Sequence, residues 1–286
     1  MATEQWTAPR RVGGVGWRVL VVAAGFFGAQ VGSAGVLVSL GLLAVPADVA
    51  PTLWPFAVAG LLVGVVLGPL ARVVPGSRRW HVVVWGSLLA LNGVGVLLEG
   101  AFFAPDLAPV GNLPAGVVSQ VTTAVATAGL VAWLFVPRDA TGRPALRDRP
   151  WSQLLARVGA GAGAYVVLFL VVGALNYLFV TRPYYEAAFA GLTTPSMGVV
   201  VVLEAVRGVL IAASVVPFVR SAPWSRRRVA VAAGLLAFLG SGLVPLVYQA
   251  ATLPAFLLFA SGYEILLQAG PAGALVGWLL WPGERS

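Results

Sequence analysis

Eight stretches of about twenty or more mostly apolar residues follow one another along the chain. They lie near 17–45, 52–74, 80–103, 113–136, 155–181, 195–219, 228–250 and 254–281. Each is long enough to cross the hydrocarbon core of a bilayer as a helix. A chain inside lipid must satisfy its own backbone hydrogen bonds, so only helices or a closed barrel can span it. Runs of this length read as helices. The expected fold is therefore all-α, a polytopic membrane protein with eight transmembrane helices. Composition agrees: 59% of residues are hydrophobic, 10% are charged, and the mean hydropathy is +0.91. Soluble domains carry about 25% charged residues. The first stretch has the basic flank of a signal peptide, but its apolar run is too long for a cleaved segment. It reads as a retained first helix.

The eighteen basic residues are all arginines, and ten acidic residues oppose them for a net charge of +8. They sort by loop. Arg10 and Arg11 precede the first stretch and Arg18 opens it. Arg72 closes the second and Arg78 and Arg79 follow it, Arg138, Arg143, Arg147, Arg149 and Arg157 surround the join of the two halves, Arg220, Arg226, Arg227 and Arg228 follow the sixth, and Arg285 lies in the tail. Only Arg182 falls in an alternate loop, and Arg207 lies within a stretch. Arginine-rich loops face the cytoplasm. Both termini are therefore expected there, in a multi-pass protein of the cell membrane. The same distribution assigns the charge to anionic lipid headgroups rather than to nucleic acid. Cysteine is absent and His81 is the single histidine, so disulfides, thiolate chemistry and histidine-cluster metal sites are excluded. No metal site and no cofactor is expected. His81 is expected at the cytoplasmic interface, beside Arg78, Arg79 and Trp80.

A shift of 148 residues lays Pro69–Arg79 over Pro217–Arg227, with the shared pattern PxxRxxPxSRR. Without a gap, the shift also pairs Gly60 with Gly208, Gly86 with Gly234, Gln120 with Gln268 and Trp133 with Trp281. In the first helix of each half it pairs Leu20 with Leu168 and Gly25 with Gly173. The reading is two parallel four-helix repeats, parallel because four crossings return the chain to its starting side. The expected organisation is a cytoplasmic tail (1–16), a first repeat (17–137), a cytoplasmic linker (138–152), a second repeat (153–281) and a short tail (282–286). Gly28 and Gly32, Gly60, Gly64 and Gly68, Gly208 with Ala212, and the GAGAGA run at 159–164 mark faces where helices approach closely. Intramolecular packing is the reading preferred to a homodimer face.

Polar groups within the apolar runs are costly: a charge at the centre of a spanning helix costs at least about 2.5 kcal/mol. Glu204 and Arg207 stand three apart, on one helix face, in VVVVLEAVRGVLIAA. Glu264 and Gln268 share a face of the last helix. Glu99, Asn176 and Gln120 map to a similar depth in the outer half of the bilayer. The repeat partners of Glu204, Arg207, Glu264 and Glu99 are Phe56, Ala59, Gly116 and Val247, so the ionisable set belongs to one half only. It reads either as a structural clamp or as a ligand, ion or proton site. Ser119, Thr122, Thr123 and Thr127 have no His–Asp set to activate them and are expected to bond backbone or neighbouring helices. Tyr184, Tyr185 and Phe189, in the longest external loop, are expected as interface anchors rather than a lid. Phosphate-binding, serine-hydrolase and zinc-protease motifs are absent.

Three functions fit. The first is a small-molecule or ion permease with its site at Glu204, Arg207, Glu264, Gln268, Glu99, Gln120 and Asn176. The second is a non-catalytic scaffold or assembly subunit, which requires a dry, fully paired cluster. The third is an intramembrane enzyme acting on lipid, which requires an unpaired Glu at a lateral opening. An enzyme is the less favoured class.

Overall fold

A computed structural model describes residues 13–44, 52–106, 108–140 and 150–281, and every regular element in them is helical. Eight long helices follow in chain order: α1 (Gly13–Ser39), α2 (Trp54–Val73), α3 (Arg78–Phe103), α4 (Leu113–Phe135), α5 (Trp151–Glu186), α6 (Met197–Ser221), α7 (Arg226–Gln249) and α8 (Ala255–Leu280). Among the described residues, seven helices, α1 to α7, are long and apolar enough to cross a membrane. The eighth, α8, has 26 residues, but Glu264, Gln268 and Pro271 dilute its apolar run. The chain is thus a multi-pass membrane protein. Its outward-facing side chains agree: Leu20, Val65, Val171 and Leu235 are exposed, and Phe179 is 80% exposed, part of an extensive apolar surface of the kind that contacts lipid. The expected PADVAP turn (46–51) and most of the tails and of the linker lie outside the described residues.

α5 departs from its expected end at 181. It continues to Glu186, 36 residues in all. Two sequence features explain this. An ion pair of 2.7 Å joins Arg182 to Glu186 one turn on, which supports the extra turn. Pro183 would ordinarily break a helix, because its ring clashes with the carbonyl four residues back. That carbonyl, on Phe179, lies in a π-turn over Tyr177–Thr181, where the widened backbone makes room. α7 uses the same device. A π-turn over Leu239–Leu243 precedes Pro245, and the Ser241 hydroxyl donates to the Ala237 carbonyl (2.7 Å).

Small residues set the packing. A Cβ on Gly60 would stand 2.7 Å from the Ala23 carbonyl oxygen of α1, and one on Gly208 would stand 2.8 Å from that of Ala162 in α5. Gly64 meets Val19, Gly68 meets the Phe135 ring, and Gly161 faces Ala212. These glycines pack within the chain, as expected. Gly28, Gly32, Gly159 and Gly163 have no neighbour within 4 Å among the described residues and lie on outward faces.

In the first half α1 packs on α2 and α4, and α3 on α4; in the second α5 packs on α6 and α8, and α7 on α8. Between halves, α3 lies against α6 and α7 against α2. The ungapped register does not survive in the first helices. Gly60 and Gly208 are 148 apart, yet they meet Ala23 and Ala162, which are 139 apart. The packing equates Phe26 with Tyr165, not Leu20 with Leu168 or Gly25 with Gly173. The extended end of α5 and the segment after it take up the nine-residue difference.

At the arginine-rich end, Arg78 donates to the carbonyls of Trp133 and Val136 (3.2 Å each), and Arg226 donates to that of Trp278 (2.9 Å). Each arginine opens one helix and caps the C-terminus of the next, where free carbonyls and the dipole favour a cation. His81, at the arginine-rich end, is fully buried within the bundle, and its Nδ1 accepts from Trp85 Nε1 (3.1 Å). It begins α3 on the face turned into the bundle, toward the aromatic cluster of Trp85 and Phe218.

Candidate functional site

The polar groups converge in the half of the bundle away from the arginine-rich end. Arg207, on α6, is 2% exposed. Its Nη1 donates to both oxygens of Glu204 one turn earlier (3.0 and 2.8 Å). Its Nη2 reaches across to Glu99 on α3 at 2.6 Å. Glu204 is completely buried, and its Oε2 also accepts from the Tyr165 hydroxyl of α5 (3.0 Å). The guanidinium lies 5.8 Å from the Tyr165 ring centre. Gly95 of α3 lies beside the stem of Arg207, where even a Cβ would stand at an ordinary contact distance of 3.8 Å from Cγ. Arg207 Nε has no hydrogen-bond partner.

A second group adjoins the first. Glu264 on α8 accepts from Asn176 Nδ2 of α5 and from Gln268 Nε2 one turn on (2.9 Å). Tyr263 donates to Asn176 Oδ1 (2.6 Å), which fixes the amide with its nitrogen toward the carboxylate. Gly173 allows this approach: a Cβ there would lie 3.1 Å from Glu264 Oε1.

Both groups border one cavity of about 170 Å³ between α3, α5, α7 and α8. Glu99 and Glu264 line it, with Tyr185, Ser241, Gln249 and Ser261. Over it passes the segment after α5. The Thr193 amide and hydroxyl bond the carbonyls of Phe103 and Phe102 (2.8 and 3.1 Å), and Leu192 closes the wall. The aromatic residues of this region divide. Tyr184 packs with Phe189 and Phe256, whereas Tyr185 faces the cavity. Comparison with protein families, characterised proteins and solved structures finds no match. The geometry therefore carries the functional argument alone.

Of the residues singled out from sequence, Glu204, Arg207 and Glu99 meet in one network, and Glu264, Gln268 and Asn176 in the other. Gln120 joins neither. It lies on α4, which packs on α1, α2 and α3, and its amide donates to the Leu89 carbonyl (3.2 Å) beside Gly93. The two glutamines that a 148-residue shift pairs thus face different helices. Tyr165 and Tyr263 were not singled out from sequence. Tyr165 is the only tyrosine deep in its apolar run, and a buried hydroxyl requires a partner, so the signal was there. In α4, Ser119 meets Ser33 of α1 at 2.7 Å. Thr123 and Thr127 are buried with no hydroxyl partner, contrary to expectation.

An aromatic cluster of Phe26, Phe56 and Tyr248 joins α1, α2 and α7, the Tyr248 ring centre lying 6.3 Å from that of Phe26 and 5.0 Å from that of Phe56. Phe26 meets Gly60 as Tyr165 meets Gly208, and Phe56 is the 148-residue partner of Glu204. No three His, Cys, Asp or Glu are arranged to hold a metal ion among the described residues.

Proposed function

We propose that this chain is a permease-like membrane protein whose cavity binds a small cation, a proton or a compact ammonium group, between Glu99 and Glu264. One observation carries the reading. Three membrane-embedded carboxylates share this end of the bundle with one guanidinium, which pairs with Glu204 and Glu99 only, and Glu99 and Glu264 stand in a cavity wall. A surplus of buried negative charge is costly in a low-dielectric interior unless a counter-charge joins it. With no three-ligand metal cage among the described residues, a proton or an ammonium group supported by Tyr185 fits the chemistry better than a metal ion. Glu204 and Arg207 form the fixed part of the site, and Glu99 and Glu264 the part that meets the ligand.

The scaffold reading is favoured only for the Glu204–Arg207–Tyr165 core, which is buried and joined by an ion pair and a hydrogen bond. The lipid-enzyme reading requires an unpaired base. Glu99 is bonded to Arg207, and Glu264 to Asn176 and Gln268, so support for it is weakest. Around the site we place eight spanning helices in two parallel four-helix repeats, with both termini cytoplasmic in the cell membrane. The matching neighbour pattern of the halves and the arginine-rich end support this arrangement. The Phe26–Phe56–Tyr248 cluster then marks the unspecialised copy of the site.

The test is thermal melting of the purified protein in nanodiscs with methylammonium, tetramethylammonium and sodium, repeated for Glu99→Gln and Glu264→Gln. An ammonium ion should stabilise the native protein in a saturable way and neither variant. Equal shifts in all three proteins would reject the site.

A further inference from the structure

A second cleft opens at the arginine-rich end and has no role in the cation reading. It measures about 960 Å³ and lies between the start of α1, the end of α2, the start of α3 and the end of α4. Arg18, Arg72, Arg78 and Arg138 line it, with Trp17 and Trp133 at its edge. Among the described residues no carboxylate lines it.

The two halves treat these arginines differently. In the second half, Arg157 of α5 donates to the Leu279 carbonyl (2.8 Å), sealing the end of α8. Its counterpart in the 139-residue register is Arg18 of α1. Arg18 makes no such bond, and its Nε is buried without a hydrogen-bond partner. Arg72 lies over the Phe135 ring, 5.3 Å from its centre. Arg78 is committed to the carbonyls of Trp133 and Val136. Among the described residues no carbonyl or carboxylate ties the guanidinium of Arg18, which lies 5.6 Å from the Trp17 ring centre, or that of Arg72, and both line an open cleft whose charged residues are all arginines. Trp17 and Trp133, both about half exposed, set its depth at the membrane–water interface, where indole rings settle.

We infer that this cleft is a binding site for the phosphate of an anionic phospholipid headgroup, with Arg18 and Arg72 as its ligands and Arg78 as a fixed wall. Guanidinium forks match phosphate oxygens. The interfacial depth assigns the phosphate to a lipid rather than to a soluble anion.

The protein in neutral detergent micelles is titrated with phosphatidylglycerol, and the rise in melting temperature gives a half-saturating concentration. Phosphatidylcholine and inorganic phosphate serve as comparison probes. The native protein should be stabilised by phosphatidylglycerol at low mole fraction, and millimolar inorganic phosphate should not displace it. In Arg18→Gln/Arg72→Gln the half-saturating concentration should rise about thirtyfold, a factor of about five for each interfacial cation. Arg227→Gln/Arg228→Gln removes the same charge at the same end but outside the cleft, and should change it less than threefold. An equal loss in both double variants would mean diffuse surface charge and overturn the site. Full displacement by inorganic phosphate would overturn the lipid assignment. If the double variant does not melt like the native protein without lipid, Arg18→Gln alone carries the test, at about fivefold.

Discussion

Replacing Arg207 with Met removes the one buried arginine among the described residues and keeps much of its volume. What it leaves behind sets the cost. Glu99 is 30% exposed at the cavity edge and can be rehydrated there, whereas Glu204 is fully buried and keeps only the Tyr165 hydroxyl. An uncompensated buried charge left by removing its partner costs about 3–5 kcal/mol. Most of that loss falls on Glu204. The double variant Glu204→Leu/Arg207→Met removes both charges and should recover a large part of the loss, landing within about 2 kcal/mol of the native protein, since apolar replacement of a buried pair is often neutral. Glu204→Gln leaves Arg207 its bond to Glu99 and should cost less than Arg207→Met. Equilibrium unfolding in mixed micelles, followed by tryptophan fluorescence and circular dichroism, measures all three. A single variant Arg207→Met that loses less than about 1 kcal/mol, or a double variant as unstable as it, would refute the reasoning from burial and pairing.

Tyr165→Phe keeps the ring and removes one hydrogen bond to a buried carboxylate, so the same unfolding assay should show a loss of about 1.5–3 kcal/mol. Gly208→Ala forces a methyl against the Ala162 carbonyl and should cost about 1–3 kcal/mol, whereas Gly28→Ala, with open space around it, should be neutral or stabilising by up to about 1 kcal/mol. Ala188 ends the extended α5 with φ 48°, a left-handed backbone that costs a residue with a Cβ about 1–2 kcal/mol. Ala188→Gly should therefore raise the melting temperature without changing cation binding.

The apolar runs made the helices legible, because twenty or more consecutive apolar residues in lipid satisfy their backbone hydrogen bonds as a helix. The carboxylates were legible too, since a charge in such a run is conspicuous against its neighbours. Partners across helices were less so. The i, i+3 spacing of Glu204 and Arg207 announced their pair, but nothing local says that Arg207 also reaches Glu99, more than a hundred residues away. The end of α5 was misplaced because Pro183 reads as a breaker, and a π-turn absorbs it without a distinctive composition. The PxxRxxPxSRR pattern was legible in two loops, and in both an arginine, Arg78 or Arg226, donates to a helix-end carbonyl. The 148-residue register does not carry into α1 and α5, because an alignment without gaps cannot see nine residues spent in an extended helix end. Gln120 was grouped with the site on its depth and its 148-residue pairing with Gln268, and neither specifies which neighbour a face meets.

The central claim is that the cavity at Glu99 and Glu264 is open to water and holds a cation. The chain has no cysteine, so Ser261→Cys places a single thiol in the cavity wall. Labelling it with a membrane-impermeant maleimide, with and without methylammonium, tests the claim most directly. The account predicts labelling from the side opposite the arginine-rich end, slowed by methylammonium, with the protection lost in Glu264→Gln. A thiol that reacts only from the arginine-rich side, or that methylammonium protects equally in both backgrounds, would contradict it.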